Sequence, residues 1–327
     1  LVAGLAQGLI VLTGAAVRLT EAGLGCENWP SCTEDRLVPE LALHPWIEFG
    51  NRLLSFLVVA TVAVAVVFAH RRRPRRPDLI RWSWGLVVGV VAQIVLGGMT
   101  VLVDLHPLLV SGHYLLSVVL LWNAVVLWVR ASAGGPEATP AVGPSLIGHG
   151  RLLIVAAVVV LVLGTLVTGT GPNGGDSRAE RLTLDLTAIA RVHAVAVWCF
   201  LAVAVILAVR LERLIVPAGS DPAGPGAPGA APARWLIAAI VAQGTIGYVQ
   251  FAVGVPPALV EAHILGSVVV WVTTVYLHLG LYRRPPLEQP VGPGAGTEPG
   301  SGTRPTGEAR SPAEGVTPGA PLATMET

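Results

Sequence analysis

The chain has 327 residues, 53% hydrophobic and only 13% charged. Soluble domains carry about 25% charged residues, so this composition excludes an ordinary soluble fold and points to a membrane. Every basic residue is arginine, the formal net charge is +1, and no basic patch is interleaved with aromatics, which excludes nucleic acid as a partner.

A bilayer crossing needs about 20 apolar residues. Eight runs reach or approach that length: 1–18, 46–69, 79–102, 107–129, 150–170, 185–209, 234–254 and 258–281. Leu1 already lies inside the first run, so a leader and a start methionine are expected ahead of it. The first run shows no small-residue cleavage pattern, which argues against a cleavable signal. Between the first two runs stands "CENWPSC", with Cys26 and Cys32; the second run opens on "WIEFGNRLL", with Glu48, Asn51 and Arg52. The arginine-rich "HRRRPRRPDLIR" follows the second run and is expected to be cytoplasmic. Alternation then makes both termini cytoplasmic and puts the cysteine loop outside. Two Pro-, Gly- and Ala-rich segments, a loop at 215–233 and a tail at 283–327, have no apolar face to bury and read as disordered.

An internal repeat organises the chain. "AQIVLGGMTVLVDLHPLLVSGHYLLSVVLLW" and "AQGTIGYVQFAVGVPPALVEAHILGSVVVW" align at one offset, matching Gln93 with Gln243, Gly97 with Gly247, Pro107 with Pro257, His113 with His263 and Ser117 with Ser267. Gly14 and Gly164 match at the same offset. The expected fold class is an all-α integral membrane protein with eight transmembrane helices, built as two tandem four-helix bundles. An even number of spans per half makes this a parallel repeat about an axis along the membrane normal. The halves are 1–130 and 150–282, joined by a cytoplasmic linker at 131–149.

Ionisable side chains inside a membrane are costly and mark function. His113, His193 and His263 each lie ~9–12 Å below the outer boundary, at 1.5 Å rise per residue. Aligning "IEFGNRLL" with "IARVHAVA" puts Asn51 at the position of His193. Two imidazoles facing each other across a four-helix bundle can hold a haem iron at both axial positions. His193 and His263 make such a pair, whereas His113 faces only an asparagine, a poor iron ligand. A closed site suits a permanent cofactor and an open site suits something that leaves. Glu48 shares a helix face with Asn51; it could act as a base or stabilise a developing cation, or simply pair with Arg52 or Arg18. Arg18 and Arg52 flank the same pocket and could bind carboxylates, or anchor at the headgroups. Cys26 and Cys32 can close a disulfide, as a staple or for redox exchange. Glu261 reads as interfacial, and Cys199 as buried and inert.

The stretch "GAAVRLTEAGLGCENWPSC", the "IEFGNR" opening of the second span, "HPLLVSGHYLLS" in the fourth and the duplicated eight-helix plan resemble the haem A synthase family, over residues 1–282 and in its actinobacterial form. The resemblance implies an oxidoreductase that converts a ring methyl of haem O to a formyl group, through successive hydroxylations, for cytochrome c oxidase assembly. It implies haem b between His193 and His263, substrate haem O at His113 and Asn51 with Arg18 and Arg52 nearby, a catalytic Glu48 and a Cys26–Cys32 disulfide. Partners so implied are the bilayer, a haem O synthase, oxidase assembly proteins and an electron acceptor; a homo-oligomer is compatible. A di-haem electron-transfer protein and a haem transporter or chaperone are the competing readings.

Overall fold

Each apolar run forms one helix: α1 (Val2–Leu19), α2 (Leu43–Arg71), α3 (Pro77–Leu102), α4 (Pro107–Ser132), α5 (Pro144–Thr170), α6 (Leu186–Ile215), α7 (Ala230–Ala252) and α8 (Pro257–Gly280). The computed structural model describes residues 1–132, 134–215 and 230–284. All eight helices are long and apolar enough to cross a bilayer. The chain is therefore an all-α, multi-pass membrane protein. Prolines open α3, α4, α5 and α8, where a missing N–H costs nothing and φ is already helical. Pro144 starts α5 six residues ahead of the apolar run expected from 150, because hydropathy alone passes over the polar turn of Ser145 and His149.

The segment expected to be disordered at 215–233 falls mostly outside the described residues, but its end, 230–233, opens α7. Ala230, Ala231 and Ala233 favour helix, and Pro232 sits in the first turn where it is tolerated. The start of the expected tail is also ordered. Tyr282–Arg283 (β2) pairs antiparallel with Thr139–Pro140 (β1), and Arg284 Nη1 donates to Pro136 O at 2.7 Å. The remainder of the tail lies outside the described residues.

Helices α1–α4 form a ring, each packed on the next and α4 back on α1; α5–α8 repeat that ring. The rings join where α4 and α1 meet α8 and α4 meets α5. Even the turns are copied. Leu105 N bonds Thr100 O at 2.8 Å, and Val255 N bonds Gln250 O at 2.7 Å, at the repeat offset. Both turns hold consecutive left-handed residues, Asp104 and Leu105 in one, Gly254 and Val255 in the other. A φ of 59° at β-branched Val255 is strained, and Asn173 Nδ2 braces it by donating to Val255 O at 3.2 Å.

The two ends of each ring differ. Toward the arginine-rich end the interiors are filled, with Leu86, Leu120 and Ala124 in the first ring and Leu153, Leu207, Leu211, Leu236 and Val275 in the second. That end is locked by Arg76, whose guanidinium pairs with Asp78 at 2.9 Å and reaches the Gly134 carbonyl. Toward the cysteine-loop end the helices part and leave a cavity of about 1130 Å³. Single-ligand pockets run to about 300–1000 Å³, so this space suits something larger than one small ligand.

Candidate functional site

Four side chains project into the cavity at matching places, each backed by a glycine on the preceding helix. A Cβ added at Gly97 would lie 3.0 Å from Cε1 of His113, and one at Gly247 would lie 3.0 Å from Cε1 of His263. At Gly164 the distance to Cε1 of His193 is 3.3 Å, and at Gly14 the distance to Nδ2 of Asn51 is 3.8 Å. At the three histidine stations the edge of the ring, at Cε1, comes too close to the neighbouring helix for a larger residue to sit there without displacement. Helix approach through small residues is the usual way membrane bundles pack. Asn51 thus occupies the fourth station, as the repeat anticipated.

Two of the rings are also held from behind. Gln93 Nε2 donates to His113 O at 3.2 Å and to Ser117 Oγ at 2.5 Å; Gln243 Nε2 donates to His263 O at 2.6 Å. The buried Nδ1 atoms of His113, His193 and His263 make no hydrogen bond of good geometry, although backbone at Val160 and Gln243 lies beside the latter two. Thr13 Oγ1 donates to Asn51 Oδ1 at 2.8 Å and ties that amide to α1. Thr13 corresponds to Leu163 in the second ring, so the tie exists at one station only.

The cysteine loop folds back over the first ring. Cys26 and Cys32 form a disulfide, and both are buried. The Trp29 ring lies against Gly98 on α3, and Trp29 and Pro30 line the cavity. Glu48, 5% exposed, is the hub beneath the loop. Its Oε2 accepts the Cys26 N–H at 2.6 Å, and its Oε1 accepts Arg52 Nη2 at 2.5 Å and Nε at 3.2 Å. Arg52 also donates to the carbonyls of Cys26, Asn28 and Ser31. A guanidinium has five N–H donors, and here all are engaged. Arg52 therefore clips the loop to α2 and has no N–H for a ligand carboxylate, contrary to the role expected from the sequence. Glu48 does pair with Arg52, the alternative the sequence left open, while still lining the cavity.

Arg18 lines the cavity too, with its buried Nε unpartnered. The α5–α6 loop crosses from the second ring to meet the first. Gly23 N donates to Gly175 O at 2.9 Å, and Arg178 bonds Glu27 at 3.1 Å and Asp176 at 3.2 Å. Burial alone would raise the Asp176 pKa; the backbone N–H and guanidinium of Arg178 outweigh it and hold the carboxyl below its ordinary value. Glu261 does not line the cavity. Cys199 is exposed on α6, not buried as expected, since it lies off the helix face that buries Phe200. Thr13, Gln93, Gln243 and Arg181 were not singled out as site residues. Only the repeated "AQ" ahead of each histidine helix gave a signal for the glutamines.

Residues 1–172 match the COX15-CtaA family, described as cytochrome oxidase assembly protein. The chain belongs to this family. Its similar proteins include a haem A synthase of Geobacillus thermodenitrificans, 37% identical over 106 residues, 32% of this chain and 33% of that protein. A haem A synthase of Geobacillus kaustophilus is 34% identical over the same length and the same shares. One from Bacillus cereus is 30% identical over 138 residues, 40% of this chain and 42% of that protein. The chain thus spans between a third and about two-fifths of the length of these curated relatives. The COX15-CtaA match takes in α1–α5, and so the cysteine loop, the Glu48–Arg52 hub and the stations of Asn51 and His113.

Proposed function

We propose that this chain is a haem A synthase, oxidising a ring methyl of haem O to the formyl group of haem A for cytochrome oxidase assembly. The observation that carries the reading is the set of four glycine-backed stations, three imidazoles and one amide, around one cavity. No cluster of three His, Cys, Asp or Glu side chains suited to a bare metal ion occurs among the described residues. An iron held here would come inside an organic ring of its own, with His113, His193 and His263 as the side chains that would hold it. The size of the cavity and the buried, unpartnered Nδ1 atoms of those histidines fit such a group.

In this reading His193 and His263 hold haem b, which supplies one-electron chemistry when bound. His113 is the sole strong ligand for substrate haem O, with the Asn51 amide opposite it. Weak ligation on one side lets product leave. The 1–130 half is then the substrate half and 150–282 the cofactor half. Glu48 supplies negative charge at the cavity wall, where the methyl carbon loses electrons and protons. Arg52 and the Cys26 N–H orient that carboxylate, and Trp29 and Pro30 of the cysteine loop wall the cavity beside it. The sidedness read from the arginines, with cysteine loop outside and both termini in the cytoplasm, belongs to this proposal, as do haem O synthase and oxidase assembly proteins as partners.

Co-expression with a haem O synthase in cells lacking their own haem A synthase tests it. Haem A in the extracted haems, dependent on this chain, is the expected result. Extracts holding only haem O and haem b would sink the reading in favour of an electron-transfer or haem-carrying protein.

A further inference from the structure

The α5–α6 loop brings an arginine of the second ring to the ligand station of the first. Arg181 and Arg18 lie against consecutive glycines. A Cβ added at Gly175 would lie 3.0 Å from Cγ of Arg18, and one at Gly174 would run into the Arg181 guanidinium. Both arginines line the cavity, and their charges are close enough to act on each other. Two cations side by side at a poorly solvated wall repel unless an anion joins them.

None of the carboxylates nearby pairs with Arg18 or Arg181, and Glu180, which lines the cavity, is largely exposed. Glu48 is paired with Arg52, Glu27 and Asp176 are paired with Arg178, and Glu180 lies 3.9 Å from His106. Among the described residues the Arg18 side chain makes no hydrogen bond or ion pair, and its Nε is buried without a partner. Arg181 makes one bond, from Nη2 to Pro172 O at 2.6 Å. Arg18 follows Gly14 by one helical turn, so it stands on the same face as the Asn51 station and nearer the loops. At the repeat offset the second ring has Thr168 in its place. The unpaired charge therefore belongs to one station only.

We infer that Arg18 and Arg181 form a carboxylate clamp that grips the propionates of a tetrapyrrole entering the first ring and turns its acidic edge toward the loops. The inference rests on the haem O reading above, and it moves the substrate contact expected of Arg52 to an arginine from the other half. A guanidinium can take a carboxylate through two parallel N–H bonds. One arginine comes from each ring, so the clamp is complete only while the α5–α6 loop is seated on Gly23. The station without a second imidazole thus gains its orientation from charge.

Fluorescence titration of the purified full-length protein with zinc protoporphyrin IX and with its dimethyl ester tests the clamp without turnover. The His113-dependent signal reports the first ring. Wild type should bind the free acid at least about tenfold more tightly than the ester, a factor that one charge-assisted pair readily supplies. R18Q and R181Q should each shrink that ratio and R18Q/R181Q should abolish it, while all bind the ester like wild type, which also shows that they are folded. R36Q, which removes an exposed arginine of the cysteine loop paired only with Glu40, should keep the ratio; an equal loss there would mean a general field and overturn the clamp. Wild type binding acid and ester equally overturns the clamp and leaves the haem reading standing, whereas binding neither sinks both. The titration is repeated in phosphatidylcholine and phosphatidylglycerol nanodiscs. A ratio that vanishes only in phosphatidylglycerol would give the site to lipid phosphates and overturn the inference.

Discussion

At the scale of single residues, the four stations separate by what surrounds them. His193 and His263 both line the cavity, so on the proposed reading His193→Ala or His263→Ala should strip a tightly held haem, with the reduced-minus-oxidised absorbance of the purified protein falling to near background. His113→Ala should leave that band and abolish haem A formation. Glu48 needs a finer pair of variants, because truncation also unpairs Arg52. Leaving a buried charge without its partner costs up to about 3–5 kcal/mol, but Arg52 keeps three loop carbonyls, so the lower end applies. Glu48→Gln keeps an acceptor for the Cys26 N–H and should still cut haem A yield by about 10²-fold or more if charge is what matters. Wild-type yield in Glu48→Gln would reduce Glu48 to a loop anchor. The histidines and Asn51 were legible because the repeat offset marks them. The engagement of all five Arg52 donors was not, since it depends on carbonyls of a loop whose path no sequence pattern dictates.

Elements record the same asymmetry through glycine. Alanine gains up to about 1 kcal/mol over glycine in a helix interior, so the sign of each exchange is set by the neighbour. Gly14→Ala, with Asn51 Nδ2 at 3.8 Å, should be neutral or slightly stabilising. Gly97→Ala and Gly247→Ala meet a ring carbon at 3.0 Å and must push the imidazole aside. Thermal melts with a bound-haem readout should show Gly247→Ala losing haem at temperatures where Gly14→Ala retains it; equal behaviour would remove the glycine backing from the account. Helix existence was readable from apolar runs, and the matched turns at Leu105 and Val255 follow from the matched Pro107 and Pro257. Helix starts were less readable. At α5 and α7 the polar or proline-bearing first turns carry no hydropathy signal, and capping by Pro144 and the alanine run decided them instead.

For the whole molecule, what matters is how the two rings are joined. Tyr114 Oη and Ser267 Oγ lie 2.8 Å apart across the joint, and Trp271 Nε1 donates to Val118 O at 2.9 Å. Such hydrogen bonds between membrane helices are worth about 0.6 kcal/mol on average. A double-mutant cycle of Tyr114→Phe and Ser267→Ala, read by unfolding in detergent, should return a coupling of that order; a coupling of zero would mean that this pair adds nothing to the joint. The tandem plan was legible from the repeat, but the merging of both stations into one cavity was not. It arises because α4 and α8 meet face to face, and contacts between repeats are the part that a one-dimensional pattern leaves out. The filled end of each ring has a further consequence. A membrane that stores a proton gradient cannot tolerate a water-filled shaft from face to face, yet this protein opens a large void on one side. Leu86, Leu153, Leu207 and Leu236 are fully buried in the filled ends and do not line that void. Packed apolar side chains of this kind make an insulating floor, so a chamber open at one end need not breach the bilayer as a barrier to ions.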